Sequence, residues 1–438
     1  MSEPEPVGPR AWRYRYTGFV MREHIENVEC YTPGGYHPSD IGDTITNGQD
    51  SYTVIHKLGH GGYSTVWLLK RQRKHPAGQQ EEDYPPVSFH ALKILRADLG
   101  DTRADHELNF LQRLGQVGNS ESSHPNIAVV EDSFTISGPN GQHHCLVSPL
   151  LGLSLHSISV ERLTPSQRHH ICQQLTSAVA FLHSHHICHG DLTPSNIAFV
   201  IPGIQSMTES YLLELLGPIH DGRLRLREGP VRHSKHGPKR VVAAASFSGF
   251  DISSLTSIRI IDFGCAFLST SPPPTLGCPV EFFPPELLFG SPASTQSDVW
   301  QLAALVYFTY TSSYMFQPGF QVFTLLVAFI VQHYSPVPSH WRGNFVWSKY
   351  GVAEPGQLPV VHPEPDWWYD DKQPTKSVEQ HVARQAPCLS AAQRDELMRV
   401  LRDMVTWEPN RRISAAEAHR RLQSPVLSTM IEEAAEGR

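Results

Sequence analysis

The stretch His189-Gly190-Asp191-Leu192-Thr193-Pro194-Ser195-Asn196 constrains this chain more than any other. It sets a carboxylate and a side-chain amide five residues apart, directly after a segment, Ser166 to His185, in which Ile171, Leu175, Val179 and Leu182 recur at helical spacing. A loop delivered in this way can offer Asp191 to accept a hydroxyl proton and Asn196 to hold a divalent cation, the two tasks a phosphoryl-transfer loop performs. Downstream, Ile260-Ile261-Asp262-Phe263-Gly264 ends an apolar run on a second carboxylate suited to the same cation. An Asp before Phe-Gly reads equally well, by itself, as a turn. The order of the two signatures gives them weight.

Upstream lies the material for a phosphate cradle. Tyr52 to Leu58 and Thr65 to Leu69 read as strands joined by glycines, in the run Leu58-Gly59-His60-Gly61-Gly62-Tyr63-Ser64-Thr65-Val66. Glycines here let backbone N–H groups approach phosphate oxygens with no Cβ in the way. Ser64 stands where a third glycine is usual. A further strand, Phe89 to Leu95, carries Lys93 between Ala91, Leu92 and Ile94, and an inward lysine among apolar neighbours needs a partner. The spacing of Leu108, Leu111 and Leu114 predicts a helix over 102–114 that presents Glu107 to that strand. Residues 71–87 are polar and Pro-rich, a surface loop, and two more apolar segments follow, Ile127 to Phe134 and Cys145 to Leu151.

Composition excludes several classes. The chain of 438 residues is 40% hydrophobic and 18% charged with a net charge of −7, so it carries no global nucleic-acid footprint. Met1 to Arg10 lacks the apolar core of a secretory leader, and the longest apolar run, Val322 to Val331, reads as a buried helix rather than a membrane span. Cys30, Cys145, Cys172, Cys188, Cys265, Cys278 and Cys388 form no C-x-x-C pair, which fits reduced thiols in a cytoplasmic or nuclear protein. His169, His170, His183, His185, His186 and His189 fall at helix ends with no carboxylate or thiol set to complete a zinc site. Residues 1–20 are expected to be flexible. Between Asn196 and Asp262 an insertion holds an amphipathic helix, Met207 to Leu216, and a basic patch, Arg223 to Arg240, read as a solvated surface. Asp298 to Tyr310 predicts a strongly apolar helix, Glu286 and Arg412 a buried pair, and Glu432 to Arg438 an acidic tail.

Taken in order, these motifs resemble the eukaryotic protein kinase family over residues 50–425. Within it the chain is similar to the SR-protein kinases and their fungal relatives. That likeness rests on Gly34-Gly35-Tyr36-His37-Pro38-Ser39-Asp40-Ile41-Gly42-Asp43, on Ser64-Thr65-Val66-Trp67-Leu68, on the insertion before Asp262, and on Trp341 after Ser335-Pro336-Val337-Pro338-Ser339-His340.

The resemblance implies an α+β, bilobal fold: a small antiparallel-sheet lobe over about 50–150 and a larger, mainly helical lobe over about 151–425. An insertion over about 201–257, an N-terminal extension 1–49 and a tail 426–438 complete the chain. It implies a serine/threonine kinase that uses ATP and Mg²⁺, with Asp191 as base, Lys93 and Glu107 clamping the phosphates, and Asn196 and Asp262 holding the metal. The glycine run Leu58 to Val66 would cover the phosphates. The backbones of Pro149 and Leu151 would meet the adenine, with Ser148 at the back of that pocket. Protein substrates are expected, with Arg-Ser-rich proteins as one candidate class, and neither nucleic acid nor membrane; the chain is expected to be a monomer. Two departures bear on this. Thr193 stands where most such kinases carry Lys, and Gly190 replaces the usual Arg. The competing reading is a weakly active or inactive scaffold with the same fold.

Overall fold

In the computed structural model, residues 13–17, 24–48, 50–73, 87–97, 100–115, 123–227, 233–351, 366–369, 378–386 and 389–428 are described. In chain order the elements begin with β1 (Tyr14–Thr17), β2 (Thr44–Asn47), β3 (Asp50–His60), β4 (Ser64–Arg73), β5 (Ser88–Leu95), α1 (Gly100–Arg113), β6 (Asp132–Gly138) and β7 (Gly141–Pro149). Then come α2 (Pro165–Ser184), β8 (Ile187–Cys188), β9 (Ile197–Phe199), α3 (Glu209–Leu216), β10 (Asp221–Leu226), β11 (Arg240–Val242), β12 (Ile258–Ile260) and β13 (Phe267–Leu268). The rest is helical: α4 (Pro285–Leu288), α5 (Thr295–Thr311), α6 (Phe323–His333), α7 (Trp347–Tyr350), α8 (Val378–Gln385), α9 (Ala391–Met404) and α10 (Ala415–Leu422). These elements form two units, one of Met1–Glu121, Val129–Leu151 and Ile201–Phe250, the other of Ser122–Ala128, Gly152–Val200 and Asp251–Arg438.

The first unit is built on a six-stranded sheet in the order β2-β3-β4-β5-β7-β6, antiparallel throughout. Side chains alternate across a strand, so Tyr52 and Val54, Trp67 and Leu69, Leu92 and Ile94, and Cys145 and Val147 fall on one face and make its core. The register of β3 against β4 shifts twice, between Val54 and His56 and between Lys57 and Gly59. Such irregularities re-aim side chains, and Lys57 here lies over the Trp67 ring at 5.4 Å and is fully buried.

Two expectations change here. Part of the stretch expected to be flexible is a strand: β1 pairs with β10, which pairs with β11; residues 1–12 and 18–20 lie outside the described residues. The insertion does not group with the helical unit either. Its residues 201–250 belong to the first unit, where Leu224, Val241 and Ala243 share one core with Tyr14, Ile25, Val28, Tyr31 and Tyr36. Neither segment is large enough to bury its own apolar face, and each covers the other. Within the basic patch, Arg223 to Leu226 and Arg240 lie on paired strands, and the side chains of Arg223, Arg227, Lys235, Lys239 and Arg240 remain exposed as expected of a solvated surface. Arg240 pairs with Asp221, and the backbone N–H groups of Lys239 and Arg240 each donate to the Asp40 carboxylate at 3.1 Å. Residues 228–232 of that patch, the loop at 74–86 and the tail from 429 lie outside the described residues.

One charged group joins these parts. The Glu26 carboxylate accepts from Lys57 Nζ and from the Tyr31 hydroxyl, all three side chains being buried. Burial pushes the Glu26 carboxyl up, but the Lys57 ammonium and the two hydrogen bonds outweigh it and hold the group below its usual range. Removing one member of a buried pair strands the other. Glu26→Gln should therefore cost about 3–5 kcal/mol in urea denaturation, while the double change Glu26→Leu with Lys57→Met should cost far less; equal losses would show that the pair is not coupled.

The second unit is organised by α5, whose residues from Ser297 to Thr311 are all buried. The expected apolar helix over 298–310 is its centre. The run Val322 to Val331 is likewise a helix, α6, with Leu326, Val327, Ala328, Ile330 and Val331 buried. Glu286 and Arg412 form the expected pair: both are fully buried and the guanidinium forks onto the carboxylate at 2.7 and 3.0 Å. Short ladders, β12 with β9 and β13 with β8, pin the loops that follow α2.

Candidate active site

In the first unit, the hairpin of β3 and β4 turns at Gly61, Gly62 and Tyr63, closed by the Gly61 N–H donating to the Ser64 carbonyl at 2.9 Å. A Cβ at Gly59, Gly61 or Gly62 would meet nothing within 4 Å, so the chain's own packing does not demand glycine at any of the three. Their value lies in what can approach from outside, and this open backbone fits a phosphate group. Thr65 is buried and Tyr63 exposed. On β5, opposite Val66 of β4, Lys93 meets Glu107 of α1, Nζ to Oε2 at 2.7 Å. At the end of β7, Ser148 pairs with Ala91 and Pro149 with His90, with Leu151 the last residue of this segment.

In the second unit, α2 is started by a capping box of Thr164 and Gln167 and carries the chain to β8. The loop after β8 hangs on one fully buried carboxylate. Asp298, in the first turn of α5, accepts from the His189 N–H at 2.7 Å and the Gly190 N–H at 2.9 Å, and its Oδ2 lies 3.2 Å from His183 Nε2. Gln301, one turn on, accepts from the Leu192 N–H at 3.0 Å and donates to the Gly190 carbonyl at 3.2 Å. Gly190 has φ of +76°, and a Cβ there would stand 2.6 Å from the Cys265 carbonyl oxygen. In this conformation position 190 admits no side chain, so an Arg here would require the loop or the Cys265 carbonyl to move.

The arrangement brings Asp191, Asn196 and Asp262 together. Asn196 Nδ2 donates to both the backbone oxygen and Oδ2 of Asp191, each at 2.9 Å. The Ile261 N–H donates to the Asn196 carbonyl at 2.9 Å, which ties the residue before Asp262 to the loop. Asp262 adopts φ of +65°, rare for a non-glycine residue, and its Oδ1 accepts from the Gly264 N–H at 3.3 Å. The other Asp191 oxygen, Oδ1, is buried with no hydrogen-bond partner. A buried carboxylate oxygen left unsatisfied beside an amide and a second carboxylate is the donor set of a hard cation such as Mg²⁺. Burial raises the Asp191 pKa, as does the Asp262 charge, while His189 and the Asn196 amide oppose the rise. Thr193 is buried.

A family model described as the protein kinase domain matches residues 52–203. Over those residues the chain is similar to the protein kinase domain. It is 26% identical over 315 residues to the serine/threonine-protein kinase SRPK of Physarum polycephalum, covering 69% of each chain. It is 23% identical over 415 residues to a serine/threonine protein kinase of Aspergillus fumigatus, covering 90% of this chain and 88% of that one. With the serine/threonine-protein kinase spk-1 of Caenorhabditis briggsae it shares 32% identity over 181 residues, 40% of this chain, and it spans only 15% of that protein's length. The crystal structure of a kinase domain superposes with a TM-score of 0.57 at 18% identity, over 90% of this chain and 98% of the other. The kinase fold, bilobal and α+β, is thereby shown.

Asp298 and Gln301, which shape the loop after β8, carry no motif of their own in the sequence. The available signal was a carboxylate and an amide one turn apart inside an otherwise apolar run, where polar side chains must find buried partners. Asp298→Ala should strand two buried N–H groups and cost about 2–5 kcal/mol in denaturant unfolding. A loss below about 1 kcal/mol would mean that the loop holds its shape without it.

Proposed function

We propose that this chain is a serine/threonine protein kinase that moves the γ-phosphoryl group of ATP to protein hydroxyls. The observation that carries the proposal is the Asp191–Asn196 pair beside Asp262, with one Asp191 oxygen left unsatisfied in a buried setting. Asp191 orients the acceptor hydroxyl and takes its proton; the raised pKa suits a group that must bind a proton transiently. Asn196 and Asp262 are the side chains for Mg²⁺, which when bound neutralises charge on the phosphates. Lys93, held by Glu107, clamps the α- and β-phosphates, and the backbone from Leu58 to Val66 covers them. Pro149 offers only its carbonyl and Leu151 its N–H, the pair of groups an adenine edge requires.

The likeness to kinases of the SRPK type supports Arg-Ser-rich proteins as the substrate class. The free cysteines among the described residues suit a reducing cytoplasmic or nuclear setting, and no helix of the described residues is long and apolar enough to cross a membrane. The chain is proposed to act as a monomer on protein rather than on nucleic acid. Asp191→Ala and Lys93→Ala should each lower phosphotransfer at least about a hundredfold while circular dichroism stays unchanged. Full activity in either variant would remove that residue from the chemistry, and full activity in both would defeat the proposal.

A further inference from the structure

The glycine hairpin has an anchor that the kinase reading does not use. The Tyr36 hydroxyl donates to the Gly61 carbonyl at 2.7 Å, at the turn itself. Arg96, just past β5, donates to the Gly62 carbonyl at 3.3 Å, and its backbone N–H donates to the Tyr63 carbonyl at 3.0 Å. The Arg96 guanidinium also lies over the Tyr36 ring at 5.6 Å. Three successive carbonyls of the turn, those of Gly61, Gly62 and Tyr63, are thus held by the chain's own groups.

The anchor is itself rigid. Tyr36 is 2% exposed, its ring meets Tyr31 edge-on at 5.6 Å, and its carbonyl accepts from Asn140 Nδ2 at 2.6 Å. Its neighbour Gly35 cannot be replaced without moving the Cys30 carbonyl, which would lie 1.7 Å from a Cβ. The Gly35 carbonyl in turn accepts from the Ala97 N–H at 3.1 Å, beside Arg96. Glycines in a turn lose much conformational freedom when a ligand orders them. Carbonyls already fastened reduce that loss, and fixing them on one side turns the intervening N–H groups towards the other.

We propose that Tyr36, seconded by Arg96, is a positioning residue that pre-orders the glycine turn for nucleotide phosphates, so that the N-terminal extension contributes to ATP affinity without touching ATP. The inference rests on the ATP-binding reading above. Its test uses the full chain and Tyr36→Phe, which keeps the ring and removes only the hydroxyl. Tyr14→Phe serves as control, because the Tyr14 hydroxyl donates to the Tyr31 carbonyl at 2.9 Å within the same core.

Titration calorimetry with Mg-ATP should show about a three- to tenfold weaker affinity for Tyr36→Phe and none for Tyr14→Phe. KM for ATP should rise in step while kcat stays within about twofold. Amide hydrogen exchange over residues 58–66 should quicken in Tyr36→Phe without nucleotide. Equal affinities for all three proteins, or equal weakening in both variants, would overturn the tether, the second because it would reflect general loosening of the core. If the unaltered chain binds no Mg-ATP, the nucleotide reading itself fails and this role with it. Unchanged exchange over 58–66 overturns the tether whatever the nucleotide result.

Discussion

The loop that carries Asp191 exists in its present shape because one buried carboxylate, Asp298, accepts two successive backbone N–H groups from it. A loop with a left-handed glycine cannot satisfy those groups internally, and leaving them bare in a dry interior costs more than the loop could recover elsewhere. Asp298 lies in the first turn of α5, where the helix dipole favours a negative charge. The helix itself is fixed through Ser297, which donates to Glu286 at 2.8 Å, and through Arg412, which forks onto Glu286 and lies over the Trp300 ring at 5.0 Å. A chain of buried charges therefore runs from the far end of the unit to the loop. Each member is expensive to bury alone and is paired.

The same economy governs the first unit. The segment 24–48 and the insertion 201–250 are individually small, and they are stitched by Asn140, which donates to the Tyr36 and His236 carbonyls at 2.6 and 2.7 Å, and by the Glu26–Lys57 pair. Lys57 is two residues before Gly59, so the charge that stabilises the union also lies at the root of the glycine hairpin. A kinase small lobe usually reads as a sheet with one helix; here a second, three-stranded sheet is part of the same unit.

Much of this was legible in the sequence where the pattern was local. Helical spacing identified α2, and unbroken apolar runs identified α5 and α6, to within a few residues, because a helix buried on one face leaves a periodic trace and one buried all round leaves a continuous one. The order of Gly59, Lys93, Glu107, Asp191, Asn196 and Asp262 carried the resemblance to protein kinases, since each residue type would answer a distinct need of phosphate chemistry. What the sequence hid was non-local. Arg240 gives no sign in the sequence that its side chain meets Asp221 and that its backbone N–H meets Asp40, the latter about two hundred residues away in the chain. Tyr14 to Thr17 shows no turn chemistry or long alternation of its own, and becomes a strand only because β10 is there to pair with it. Gly190 reads as a lost arginine, whereas its φ and the Cys265 carbonyl make glycine a requirement.

Transfer of phosphate to serine or threonine is tested by incubating the unaltered protein with Mg²⁺ and γ-labelled ATP on a degenerate peptide library. Label is expected on Ser and Thr, abolished by chelating the cation, with the strongest incorporation where Arg flanks the acceptor. Absence of any transfer by a folded protein that binds Mg-ATP would contradict it, and label confined to other residues would overturn the assignment of substrate.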